Sequence, residues 1–187
     1  LNIEPNEAER ALSGKTRAIM PVHVYGNPCD MDALQALCDR HDLILIEDVC
    51  EAMGGSYKGR ALGQFGRVSS FSFYFSHHIT TFEGGMCLTG DGELADTMRI
   101  LRSHGWIREA KDKARYTERH PGIDPRFLFV NTGYNLRLTE VQAAVGLEQV
   151  PKLDGFLDQR REAAALWQDV FAAHGETLQI QRETPGG

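Results

Sequence analysis

Apolar residues fall into short runs separated by polar, glycine-bearing stretches. Residues Ala18–Tyr25 (AIMPVHVY) are apolar and β-branched enough for a buried strand. Gly26-Asn27-Pro28 breaks it. Asp30 then stands where it caps a helix over Met31–His41, whose Met31, Leu34, Leu37 and Cys38 share one face. Leu43–Glu47 (LILIE) is a second apolar run, with Asp48 at its end. Strand, helix and strand in this space predict a βαβ crossover joining two parallel strands.

Tyr57–Phe65 is glycine-rich and polar, a loop or a hairpin. Val68–Phe75 (VSSFSFYF) alternates small and aromatic residues, which suits a strand. His77–Gly85 (HHITTFEGG) reads as a polar loop. Met86–Thr89 reads as a short strand, followed by a turn at Gly90-Asp91-Gly92. Glu93–Arg102 has Leu94, Met98 and Leu101 in line for a helix. Lys111–Arg126 is charged and irregular, an exposed excursion. Thr139-Glu140-Val141-Gln142 fits a capping box for a helix carrying Val141, Ala144, Val145 and Leu147. Pro151 interrupts that helix, and a long polar helix is expected over Lys152–Phe171. No internal repeat or low-complexity tract is visible. Alternating strands and helices make the fold class α/β.

Composition narrows the classes without changing that picture. The chain has 187 residues, 42% apolar and 25% charged, which excludes collagen-like, disordered and coiled-coil chains. Net charge is -6, from 20 basic and 26 acidic residues, with no basic block to suit a nucleic-acid groove. No apolar run approaches the roughly 18–20 residues of a membrane span. No signal peptide is visible, so a cytoplasmic location is expected. Cys29, Cys38, Cys50 and Cys87 form no CxxC pair and no zinc ligand set. They are expected to be small buried thiols.

Three features carry chemistry. Asp48 ends a predicted parallel strand, the edge at which open α/β sheets bind ligands. It could partner a cationic ring nitrogen or a ribose hydroxyl, or simply be a solvated loop carboxylate. His77-His78 are adjacent, so in an extended chain they point to opposite sides and do not share a metal. One could serve as general base and then general acid, or could be a hydrogen-bonded structural histidine. Ser69, Ser70, Ser72 and Ser76 crowd the preceding strand, where a hydroxyl can meet phosphate oxygens or be an ordinary strand serine.

Taken in order, five segments resemble one family. They are AIMPVHVYG (18–26), IEDVCEAMGGSYKGR (46–60), SFSFYFSHHITTFEGG (70–85), LRSHG (101–105) and GYNLRLTEVQAAVGLEQVPKLDGFLDQRR (133–161). The chain is similar to the sugar aminotransferases of fold type I pyridoxal-phosphate enzymes, which act on nucleotide-linked keto-sugars. The resemblance implies a three-layer α/β/α domain with a mostly parallel sheet. It implies that residues 1–150 are the central part of the cofactor-binding large domain. Residues 151–187 would be a connecting helix and the start of a small C-terminal domain. A phosphate-gripping turn and an aromatic residue that stacks on the cofactor are expected before Leu1. The 187-residue chain alone is therefore expected to bind cofactor poorly.

In that family a lysine forms the internal Schiff base with the cofactor, and here the matching position is His77. An imidazole has no primary amine, so lysine-based transamination is not expected. The segment resembles the dehydratase branch, which removes the C3 hydroxyl of nucleotide-linked 4-keto-6-deoxyhexoses in deoxysugar biosynthesis. Gly105–Glu118 holds no cysteine, so the resemblance points to the branch without an iron–sulfur cluster, which acts on GDP-4-keto-6-deoxymannose.

The implied cofactor is pyridoxal 5'-phosphate or pyridoxamine 5'-phosphate, with glutamate as amino donor. His77 is the implied acid and base. Asp48 matches the residue at the pyridine nitrogen, Glu51 one near the ring oxygen, and Ser72 the phosphate-binding serine. Asn135 matches a cofactor-binding residue in a segment that reaches across a homodimer into a shared active site. His104, Arg108 and Arg137 match positions near the substrate. The alternatives are amine transfer without a lysine, or a non-catalytic cofactor- or sugar-binding relative.

Overall fold

The computed structural model describes residues 1–172, 174, 175, 177, 178 and 180–187. They form two units, residues 1–88 with 140–187, and residues 89–139. In the first unit a short helix, α1 (Pro5–Arg10), precedes β1 (Ala18–Ile19). The expected strand over Ala18–Tyr25 is thus only two residues long. Pro21 has no N–H to continue the ladder. Pairing resumes one step on, where Val22 bridges Asp48. The chain then turns through Val24–Gly26, with Tyr25 at φ +55°.

The next helix, α2 (Met31–His41), forms as expected, with Asp30 Oδ1 accepting the Ala33 N–H at 3.1 Å. Met31, Leu34, Leu37 and Cys38 are all buried, packed with Ile19, Leu45, Val49, Ala52, Tyr57 and Leu62. Each fully buried Leu or Met contributes about 1.5–3 kcal/mol. This cluster is the core beneath the sheet.

Strand β2 (Ile44–Asp48) pairs in parallel with β1 and with β5 (Val68–Ser72). Between them lies a hairpin of β3 (Ser56–Tyr57) and β4 (Arg60–Ala61). The last strand, β6 (Gly85–Leu88), runs antiparallel to β5, giving the order β1-β2-β5-β6. β5 is shorter than the expected Val68–Phe75. At Phe73 the backbone N–H turns to Gly84 O and the carbonyl to Thr81 N, both at 2.9 Å, closing the loop that carries the histidines. All four residues of β6 are exposed, so Cys87 is an exposed thiol, contrary to expectation. Cys29 and Cys38 are buried, and Cys50 is half-buried.

Alternation along β2 puts Leu45, Glu47 and Val49 on one face, and all three are buried. Glu47 is 0% exposed. Its Oε1 accepts the N–H groups of Phe65 and Gly66, each at 2.6 Å, and its Oε2 accepts that of Gly63 at 2.7 Å. His23 Nε2 lies 3.5 Å from Oε2. His23 Nδ1 accepts the Cys29 N–H at 3.0 Å, so the ring hydrogen sits on Nε2 and faces the carboxylate. At that length the pair is an electrostatic contact and not a formed hydrogen bond. The loop needs its glycines. Gly63 has φ +92°, and a Cβ on Gly66 would lie 2.7 Å from Leu45 O. Burial pushes the Glu47 carboxyl up, but His23 and the three N–H donors outweigh it and hold it below the usual range.

In the second unit, Asp91 Oδ1 caps α3 (Gly92–Arg102) by accepting the Glu93 and Leu94 N–H groups at 3.0 Å. Its buried residues are Asp96 and Ile100, whereas the expected face of Leu94, Met98 and Leu101 is half-buried. The Asp96 carboxylate holds the following chain, accepting the N–H groups of Lys111 at 2.9 Å and Asp112 at 3.0 Å. The Lys111–Arg126 excursion contains one helical turn, α4 (Ala114–Thr117), and is mostly exposed.

Back in the first unit, α5 (Glu140–Gln149) and α6 (Leu153–Ala172) are separated by a turn at Val150–Lys152, where Pro151 stands. Val141, Ala144 and Leu147 are exposed and Val145 is half-buried. Among the described residues no helix is long and apolar enough to cross a membrane.

A depressed Glu47 carboxyl contributes stability above the ordinary glutamate value, lost as pH falls through the folded one. Glu47→Gln puts an amide NH2, which cannot accept, where a charged oxygen meets backbone N–H groups, and should therefore cost about 3 kcal/mol at pH 7 and flatten the acid limb of a plot of Tm against pH. Thermal unfolding from pH 3 to 8 checks this. Equal Tm for both proteins at pH 7 contradicts it.

Candidate active site

Adjacent parallel strands β2 and β5 end side by side, and the polar residues at their carboxyl ends collect on one sheet edge. Asp48 is the last residue of β2, opposite Ser70. It is half-buried, and its Oδ1 accepts the Cys50 N–H at 3.0 Å. The Cys50 Sγ lies 3.9 Å from Ser70 Oγ. Burial, and then the hydrogen bond to Asp48, push the Cys50 thiol up to about 11, so it stays protonated beside that carboxylate. Ser72 ends β5, and its Oγ accepts the Tyr74 N–H at 3.2 Å. That bond leaves the hydroxyl hydrogen available to a phosphate oxygen.

Glu51 lies on the loop leaving β2. Its Oε2 accepts the Tyr25 N–H at 2.9 Å. A left-handed conformation at a non-glycine residue costs about 1–2 kcal/mol, and this carboxylate holds Tyr25 there. Tyr25 is 77% exposed. Glu51 thus ties the turn after β1 to the loop after β2.

His77 and His78 lie on the loop leaving β5. The His77 N–H donates to Tyr74 O at 3.1 Å, and its ring stands edge-on to Tyr74 with centroids 6.0 Å apart. Both Nδ1 atoms are buried, and among the described residues neither has a hydrogen-bond partner. Burial lowers the His78 pKa first, and the Arg160 guanidinium and His77 lower it further. The loop is braced from α5, where Gln142 Nε2 donates to Glu83 O at 2.8 Å. Thr81 Oγ1 donates to the same carbonyl at 2.9 Å.

The other four predicted residues belong to the unit of residues 89–139. His104 has φ +63°, and its N–H donates to Tyr134 O at 2.7 Å. Ser103 bridges Asn135, and Arg137 Nη2 donates to Asn135 Oδ1 at 3.5 Å. His104, Asn135 and Arg137 therefore share one pair of strand-like segments. The Arg108 guanidinium lies 5.2 Å from the Trp106 ring centroid, and Trp106 stacks on Phe129. All four side chains are exposed.

The edge thus holds a half-buried carboxylate and a hydroxyl with its hydrogen to give, and the loop leaving it carries two imidazoles whose Nδ1 atoms have no partner among the described residues. That donor set fits a cofactor with a protonated ring nitrogen and a phosphate. Sequence reasoning passed over Cys50, Tyr25 and the His23–Glu47 pair. Alternation in LILIEDV could have found Glu47, because it places a charge on the face of Leu45 and Val49. Nothing in the sequence announced the conformation of Tyr25.

The sequence pattern of the DegT/DnrJ/EryC1/StrS aminotransferase family matches residues 1–185. Over 187 residues the chain is 39% identical to the GDP-4-keto-6-deoxy-D-mannose 3-dehydratase of Yersinia pseudotuberculosis, covering 98% of this chain and 47% of that protein. Over 179 residues it is 38% identical to the GDP-perosamine synthase of Caulobacter vibrioides, covering 95% and 44%. A crystal structure of GDP-4-keto-6-deoxymannose-3-dehydratase with a trapped PLP-glutamate geminal diamine matches with a TM-score of 0.83 at 35% identity, covering 98% of this chain and 48% of that one. The chain spans about half the length of the curated relatives it matches.

A lowered His78 pKa means the fold prefers the neutral ring, so its stabilisation is present above the ordinary histidine value and is lost as pH falls below it. An NMR titration of the imidazoles should show His78 protonating below the ordinary range, and Arg160→Gln should move its midpoint upward. A His78 midpoint at or above the ordinary value contradicts burial as the cause.

Proposed function

The chain belongs to the DegT/DnrJ/EryC1/StrS aminotransferase family, and we propose that it serves the removal of the C3 hydroxyl from a nucleotide-linked 4-keto-6-deoxyhexose. His77 carries this reading. It stands where the family resemblance places the Schiff-base lysine, and its buried Nδ1 has no partner among the described residues. Similarity to a GDP-4-keto-6-deoxy-D-mannose 3-dehydratase supports GDP as the nucleotide. A related structure with a trapped PLP-glutamate adduct supports the cofactor and glutamate as amino donor.

In this reading Asp48, whose Oδ1 accepts the Cys50 N–H, holds the cofactor's pyridine nitrogen in its protonated form. Ser72 donates its hydroxyl hydrogen to the phosphate. Glu51 fixes the neighbouring turn and borders the ring. Pyridoxamine 5'-phosphate bound here would supply a free amine and an electron sink. His77 takes up a proton beside the reacting carbons and returns one to the departing C3 hydroxyl oxygen. Imidazole is the side chain able to do both near neutral pH.

Asn135 contributes to the cofactor site of a partner subunit in a homodimer, and His104, Arg108 and Arg137 border the sugar nucleotide. Residues 1–150 belong to the cofactor-binding domain and 151–187 to a connecting helix and second domain. The reaction takes place in the cytoplasm.

His77→Asn in the cofactor-loaded enzyme should slow C3 deoxygenation by about 10²–10⁴-fold while the cofactor's absorbance band is retained. Steady-state deoxygenation assays with glutamate and the keto-sugar nucleotide check it. Undiminished deoxygenation would remove His77 from the reaction.

A further inference from the structure

We propose that Glu47 and His23 are positioning residues for Asp48, holding its carboxylate on the cofactor side of the sheet. This rests on the reading of Asp48 as the partner of a ring nitrogen. It goes beyond that reading by assigning work to a buried pair that no step of the reaction uses.

Successive residues of a strand face opposite sides of the sheet. Glu47 is fully buried on one face, so Asp48 must project from the other. Whatever fixes Glu47 fixes the rotation and register of β2 at Asp48, since a slip of one residue would exchange the two carboxylates. Glu47 is fixed at both oxygens by the N–H groups of Gly63, Phe65 and Gly66, at 2.6 to 2.7 Å.

His23 joins the two positions. Its ring faces Glu47 at 3.5 Å, while its backbone N–H donates to Asp48 O at 3.2 Å. The ring cannot turn freely, because Nδ1 accepts the Cys29 N–H at 3.0 Å. The neighbouring bonds complete the frame. Asp48 N–H donates to Pro21 O, and Val49 N–H donates to Ser70 O, both at 2.9 Å. The peptides on either side of Asp48 are thus held by β1's continuation and by β5. Replacing buried ionised groups with well-packed apolar residues is often neutral for stability. Fold stability alone is therefore a weak reason for a carboxylate at this position, and orientation of Asp48 is the stronger one.

The test compares Glu47→Gln, His23→Gln and Asp48→Asn with the wild type in the enzyme able to take up cofactor. Three readouts are the Kd for pyridoxamine 5'-phosphate, the pH titration of the bound cofactor's absorbance, and Tm. Glu47→Gln and His23→Gln should each raise Kd about tenfold, the scale on which supporting partners of a binding group act. Each should shift the absorbance titration in the same direction as Asp48→Asn.

His23→Gln leaves the three N–H bonds to Glu47 in place and decides the matter if Glu47→Gln does not fold. Variants that lower Tm but keep wild-type Kd and titration, while Asp48→Asn changes both, overturn the positioning role. If Asp48→Asn itself changes neither, the reading of Asp48 falls and the inference falls with it.

Discussion

A carboxylate taken wholly out of water must be met by donors or give up its charge. Glu47 is met by three backbone N–H groups and faced by the Nε2–H of His23. That requirement shapes much of the first unit. It draws the loop of Gly63–Gly66 under the sheet, where side chains on the glycines would not fit. It brings His23 alongside β2 after Pro21 has interrupted the ladder. It also puts the next residue, Asp48, on the opposite face at the end of the strand. The candidate site lies at the edge thus defined. Asp48 and Ser72 end neighbouring strands, and Glu51 and His77 stand on the loops that leave them.

The helix over Met31–His41 was legible down to its cap and its four buried residues, because a 3.6-residue period and an Asp at the N-terminus are local signals. The parallel pairing of β1 and β2 followed from the crossover. Strand lengths were not legible. Ala18–Tyr25 looks uniformly apolar, yet the missing N–H of Pro21 and the left-handed Tyr25 end it early. The helix over Glu93–Arg102 was legible too, but not the burial of Asp96, which accepts the N–H groups of Lys111 and Asp112, residues distant in sequence.

The site shows the same division. The position of Asp48 at the end of its strand could be read from the apolar run alone, whereas Ser72 was expected inside a longer strand and was singled out, like His77, by the family resemblance. The partner of Glu51 could not be read, since a bond from Tyr25 depends on a turn that no local pattern encodes. The family resemblance sets His77 where a lysine would stand, and in the structure its Nδ1 is buried with no hydrogen-bond partner among the described residues. An imidazole has no primary amine, and the proposed reaction is built on that difference. Similarity to a GDP-perosamine synthase keeps amine transfer as the competing chemistry.

The proposed reaction removes an oxygen and does not install a nitrogen. The most direct measurement is mass spectrometry of the sugar product after the cofactor-loaded enzyme is incubated with GDP-4-keto-6-deoxymannose and glutamate. The proposed reaction gives a 3-deoxy-4-keto sugar together with free ammonia. An amino sugar that keeps its C3 hydroxyl would contradict it.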